Sequence, residues 1–131
     1  MRVADTDILI DILRGFVPAI EWFQTLPEPP VVVSLSVMEL IQGCRSHREL
    51  QQVSLLIAPL PIWYPTAEET SLALELLYQY HLQYRIGIID ALIAACVRTR
   101  GATLCTFNTR HYAAIPDLKL ESPYSKSGSN G

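Results

Sequence analysis

Three carboxylates sit where folded chains tend to do chemistry. Asp5 ends the stretch "RVAD", Glu39 follows "VVVS" by a few residues, and Asp90 lies inside the mostly apolar "RIGIIDALIAACVRTRG" at 85–101. Each has an ordinary role to hand. Asp90 suits a helix N-cap, where a carboxylate oxygen accepts a backbone N–H of the first turn. Ser36 and Glu39 have the spacing of a capping box, and Asp5 can be a turn residue closing a strand. For any one of them alone, that role is the commoner. Their shared position argues otherwise, since each belongs at the carboxyl end of a strand or at a helix N-terminus beside one. If those strands are neighbours, the three carboxylates converge. Converging acids repel, and one would ordinarily take up a proton. A hard divalent cation removes the conflict, and carboxylates are the ligands that Mg2+ and Mn2+ favour. A metal site on Asp5, Asp90 and Glu39 is therefore expected.

The elements that must position them alternate along the chain. "RVAD" (2–5) reads as a strand, followed by a helix over about 7–14 with Asp7 as N-cap and Gly15 after its end. A second helical piece covers 18–25, "PEPP" breaks the chain, and "VVVS" (31–34) has the β-branched run of a buried strand. "SVMELIQGC" opens a helix, a further helix spans 48–58 up to Pro59 and Pro61, and "IWY" (62–64) is a short extended piece. Thr66 and Glu69 repeat the capping-box spacing at the head of a long helix, 66–84. Asp90 starts another, closed by Gly101. "TLCT" (103–106) is a strand, "NTRHY" a turn with one helical turn, and "LKLE" (118–121) a last strand. The tail "SPYSKSGSNG" (122–131) has no apolar periodicity and is expected to be mobile. Strands separated by helices imply crossovers, hence an α/β, three-layer α/β/α fold around a central, mostly parallel sheet. Such sheets bind ligands at the carboxyl ends of their strands.

Bulk properties fit one domain over 1–121. The chain has 131 residues, half of them apolar and 18% charged, enough to bury a real core. No apolar run approaches the roughly 18–20 residues needed to span a bilayer, and Asp5 and Asp7 within the first ten residues argue against a secretory signal. Cys44, Cys96 and Cys105 are scattered in apolar surroundings, as small core residues in a reducing cytoplasm would be. A formal charge of −3 argues against coating nucleic acid by bulk charge. It leaves room for a nuclease whose bound cation supplies the local positive field. Eight of the ten basic residues are Arg, whose planar fork suits carboxylate or phosphate pairing.

The stretches "VADTDILIDILRG", "SVMELIQGC" and "IIDALIAACVRTRGATLCTFNTRHY" resemble the PIN-domain ribonucleases, specifically the VapC toxins of prokaryotic toxin–antitoxin pairs. The resemblance runs from residue 2 to about 121, and the third stretch is its most specific part. It implies metal-dependent cleavage of RNA with Mg2+ or Mn2+, a homodimer, and a cognate antitoxin that wraps the toxin and blocks its acidic pocket. Asp5, Glu39 and Asp90 land on the family's acidic positions, and Thr106 and Asn108 in its last active-site motif. Many members carry Asp where this chain has Asn108. Thr106 can satisfy backbone groups at a strand end or orient the Asp5 carboxylate. His111 reads as a surface or capping histidine, Arg110 as a phosphate contact or a solvated turn residue. Asp7 and Asp11 cap and solvate the first helix, with Asp11 an outlying candidate for the site.

Two other functions compete. The "DTD" stretch (5–7) would suit a phosphatase with an Asp nucleophile, but the only lysines are Lys119 and Lys126, near the end. A catalytically silent binding module is opposed by the intact acid trio. There is no Ser–His–Asp order and no Gly-rich phosphate loop to support acyl transfer or P-loop chemistry. The helix at 66–84 carries more apolar residues than one core stripe needs, and Tyr78, Tyr80 and Tyr84 suggest a contact surface.

Overall fold

The computed structural model describes residues 1–126. Strand β1 (Arg2–Ala4) leads into α1 (Thr6–Leu13) and α2 (Val17–Thr25). Then come β2 (Val32–Val33), α3 (Ser34–Gln42), α4 (His47–Ile57) and β3 (Ile62–Trp63). The long α5 (Ala67–Tyr84) and α6 (Ile88–Thr99) precede β4 (Thr103–Cys105), the single turn α7 (Thr109–Tyr112) and β5 (Lys119–Glu121). Strands β1, β4 and β5 pair in that order and β2 pairs with β3, every pairing parallel. A Val3–Val31 bridge joins the two groups, so the strands run β3-β2-β1-β4-β5. The chain winds outward on one side of β1 and then returns to its other side. The switch point lies between β1 and β4, and there the crevice of such a sheet opens.

Alternation along the strands builds two cores, one on each face. Val3, Val31, Val33 and Leu104 join α5, α6 and Tyr112 in one cluster. Their neighbours Ala4, Val32 and Cys105 join Ile8, Leu9, Leu40, Val53 and Ile57 of α1, α3 and α4 in the other. This is the expected three-layer arrangement. No helix among the described residues is long and apolar enough to cross a membrane.

Several boundaries differ from expectation, and the differences move acids. Asp5, not Asp7, is the N-cap of α1, its side chain accepting from the Thr6 N–H. Helix α3 starts at Ser34, directly out of the strand with Val33 as N-cap. Ser36 is therefore already inside the helix, Glu39 lies beyond the first turn, and no capping box forms. Helix α6 is capped by Gly87, so Asp90 sits in its first turn, accepting weakly from the Gly87 N–H at 3.4 Å. The Thr66–Glu69 box on α5 forms as expected, with bonds of 3.0 and 3.1 Å.

The start of the tail is not loose. The Tyr124 ring stands edge-on to Phe107 at 4.9 Å and close to Phe16 and Trp22, with its hydroxyl donating to Asp11 at 2.7 Å. Lys126 reaches Asp11 at 3.0 Å and covers the Phe107 ring. A polar, aperiodic sequence hides one well-placed aromatic. The expectation of mobility over 127–131 lies outside the described residues.

Candidate active site at the sheet switch point

Asp5 and Thr106 follow the paired residues Ala4 and Cys105, so both emerge at the carboxyl ends of adjacent strands. Thr106, fully buried, donates its hydroxyl proton to Asp5 Oδ2 at 2.8 Å. Its oxygen accepts the Asn108 N–H at 3.0 Å. Of the two readings open for Thr106, orienting the carboxylate is the one the geometry takes. Asp5 Oδ1 accepts the Thr6 N–H at 2.8 Å.

Glu39 comes to the same pocket through Thr6. Thr6 Oγ1 lies 2.6 Å from Glu39 Oε1 and 3.0 Å from Ser36 Oγ. Thr6 has one proton; given to the carboxylate, it leaves the Ser36 hydroxyl to point back at Thr6. Asp90 is held from α7. The Tyr112 hydroxyl stands 3.1 Å from Asp90 Oδ1 and 3.2 Å from Asp5 Oδ2. His111 Nδ1 stands 3.1 Å from Asp90 Oδ2 and 2.9 Å from Asn108 Nδ2. One ring nitrogen cannot donate to the acid and accept from the amide together, so the Asn108 side-chain orientation and the His111 tautomer are linked.

An open pocket of about 420 Å3 takes its walls from Asp5, Asp7, Glu39, Asp90, Asn108 and Phe107, among others. The trio expected to converge does line one space, with Asn108 beside it and Thr106 behind. Asp11 is elsewhere, committed to Tyr124 and Lys126. Asp7, expected to cap and solvate α1, instead joins the wall and accepts the Phe107 N–H at 2.8 Å. His111 is a half-buried partner of Asp90, not a bare surface residue. Thr6 and Tyr112 were missed. Thr6 adjoins Asp5 in the "DTD" stretch, a signal that was available; nothing local in "NTRHY" marks Tyr112.

Electrostatics show an unmet charge. Burial, and next the Asp7 carboxylate, push the Asp5 carboxyl up to about 6. Burial also raises Asp7. Burial first, then Asp5 and Asp90, hold the Tyr112 hydroxyl well above its ordinary value, so it stays protonated. That one proton faces two carboxylate oxygens and can satisfy only one. Donor chemistry and charge therefore fit a hard divalent cation. A closed cage is not preformed: among the described residues no three His, Cys, Asp or Glu side chains are gathered as a metal cluster. Thr6 and Tyr112 hold the carboxylates in its place.

The PIN domain family matches residues 2–116. Ribonuclease VapC10 of Mycobacterium tuberculosis is 33% identical over 122 residues, covering 91% of each chain. The DNA-bound VapBC from Salmonella typhimurium superposes with a TM-score of 0.80 at 23% identity, covering 92% of this chain and 96% of that one. A toxin–antitoxin complex from Klebsiella pneumoniae gives 0.78 at 23%, covering 95% and 99%. The chain belongs to the PIN-domain family, in its VapC branch.

Proposed function

We propose that this chain is a metal-dependent endoribonuclease and the toxin of a toxin–antitoxin pair, hydrolysing RNA phosphodiester bonds in the acid pocket. One observation carries the reading: Asp5, Glu39 and Asp90 line one pocket at the switch point, and among the described residues no Arg or Lys forms an ion pair with Asp5. Similarity to a named ribonuclease over nearly the whole chain supports it. Asp5, Asp90 and Glu39 would hold Mg2+, with Mn2+ as substitute. When bound, such an ion polarises a phosphoryl oxygen and lowers the pKa of an attacking water.

The chain's own residues do the rest. Thr106 and Tyr112 fix the Asp5 and Asp90 carboxylates against rotation. Thr6 binds Glu39 at Oε1, which leaves Oε2 to take the proton of an incoming water; Asp90 is the other acid placed for that role. Asn108 brings a neutral amide to the rim, able to offer its carbonyl oxygen. A phosphatase with an Asp nucleophile has less support, because among the described residues no lysine lines the pocket to hold a phosphoryl group.

The partners follow the same reading. An antitoxin covering the pocket is supported by likeness to toxin–antitoxin complexes. A homodimer is supported by one stripe of α5, where Leu74, Tyr78 and Leu82 are 62%, 89% and 94% exposed and Ile88 of α6 adjoins. Tyr80 packs toward the core instead. The deciding experiment is RNA cleavage with and without EDTA. Activity should vanish in EDTA, return with Mg2+ or Mn2+, and be lost in Asp5→Asn, Glu39→Gln and Asp90→Asn. EDTA-resistant cleavage would overturn the reading.

A further inference from the structure

A pocket walled by carboxylates has to receive a polyanion, and on the Asp90 side the surface changes sign. A notch of about 300 Å3 is lined by Gln83, Tyr84, Arg85, Arg110 and His111. It contains two guanidinium groups and an imidazole, and no carboxylate. The groove on the Glu39 side differs: there Arg14 and Arg45 share the walls with Glu39 and Glu49. The notch and the acid pocket meet at one ring, since His111 lines the first and touches Asp90 and Asn108 of the second. Neither Arg85 nor Arg110 forms an ion pair among the described residues.

A second observation is independent of charge. Arg85 is the C-cap of α5 with φ 58° and ψ 26°, the left-handed conformation in which glycine is the usual residue. The turn is pinned in that shape, with the Arg85 N–H donating to the His81 carbonyl at 2.8 Å and His81 Nδ1 lying 2.7 Å from the Ile86 carbonyl. Strained backbone of this kind gathers at ligand sites, held there by its surroundings.

We propose that this notch is a phosphate subsite, in which Arg85 and Arg110 grip a phosphodiester of the RNA strand flanking the one in the acid pocket. Arginine forks match phosphate oxygens in pairs and keep their charge at every working pH. Tyr84, on the notch wall, offers a ring to an adjoining base, the pairing of cationic groove and aromatic platform that single strands use. The proposal rests on the ribonuclease reading and adds where the strand lies.

The test is binding of a short fluorescein-labelled single-stranded RNA in EDTA, followed by anisotropy across a salt series. Arg85→Gln and Arg110→Gln should each weaken binding about three- to tenfold and reduce the slope of log K against log salt by about 0.7. The double variant should approach the product of the two losses. Arg85→Gly, which relieves the left-handed strain, should melt no lower than the parent yet lose RNA affinity, separating folding from binding. Arg85→Lys should recover part of it. Arg48→Gln, on exposed α4, should change nothing. Arg85 and Arg110 variants that bind RNA with the parent's affinity and salt slope would overturn the subsite, and that is also the result if an acidic protein segment occupies the notch. A parent chain with no affinity for RNA would overturn the ribonuclease reading and the subsite together.

Discussion

At the scale of single residues, Tyr112 has the most unusual task, one hydroxyl proton between two carboxylates. Tyr112→Phe keeps the ring in the core and removes that proton. It should cost about 1.5–3 kcal/mol, the value of a hydrogen bond to a charged group, read as a lower melting temperature in EDTA. Saturating Mn2+ should then stabilise the variant more than the parent, because more repulsion is left to relieve. Asn108→Ala, which removes only a neutral amide from the rim, should reduce cleavage less than loss of any of Asp5, Glu39 or Asp90. Asp5 makes a prediction about pH. Its folded pKa, near 6, stands above the ordinary 3.8, so the folded state binds the proton more tightly than the unfolded chain. Stability from this group is full below about pH 4 and is lost as pH rises to about 6, on the order of 2–3 kcal/mol. Melts of the metal-free protein should fall across that window, and Asp5→Asn should flatten the fall.

At the scale of elements, α5 and α6 are tied by Arg100. Its guanidinium makes two 2.9 Å bonds to the buried Glu69 carboxylate, one more to the Tyr64 carbonyl, and covers the Trp63 ring. That partner first, and the Thr66 N–H among others, holds the Glu69 carboxyl near 2. Arg100→Ala leaves a buried charge unpaired and should destabilise by about 2–3 kcal/mol in denaturant melts, a buried-pair loss discounted for the partial exposure of Arg100. Tyr124→Phe, which removes the hydroxyl bond to Asp11 and loosens the tail beside Phe107, should cost about 1 kcal/mol. These elements also show what the sequence could convey. The Thr66–Glu69 box and the alternation at Val3–Ala4 and Val31–Val33 are local patterns, readable within a few residues. The start of α3 was misplaced because a buried strand turns into it with no loop to mark the change. The acids of the site were legible because the strand-end rule applies to each separately. Tyr112 and the Thr6–Glu39 bond were not, since they join residues 107 and 33 positions apart.

At the scale of the whole molecule, the pocket gathers negative charge in a chain already at −3. An ion that binds only the folded state adds stability by mass action, about 2.7 kcal/mol at a hundredfold excess over its Kd. Saturating Mg2+ or Mn2+ should therefore raise the melting temperature by several degrees, and a melt unmoved by either would count against the metal site. A rise specific to Zn2+ would point to different chemistry.

The pairing of β1 with β4 has a consequence in time. Asp5 is made about a hundred residues before the strand beside it, Thr106 above it and Tyr112 across from it. At roughly 5–20 residues per second, the ribosome takes several seconds to cover that distance. Until then the nascent chain carries Asp5, Glu39 and Asp90 with no β4 beside β1 and no Tyr112 to hold two of the carboxylates. On the ribonuclease reading, a fragment ending before Thr103 should cut no RNA, so activity waits on the synthesis of β4 and α7.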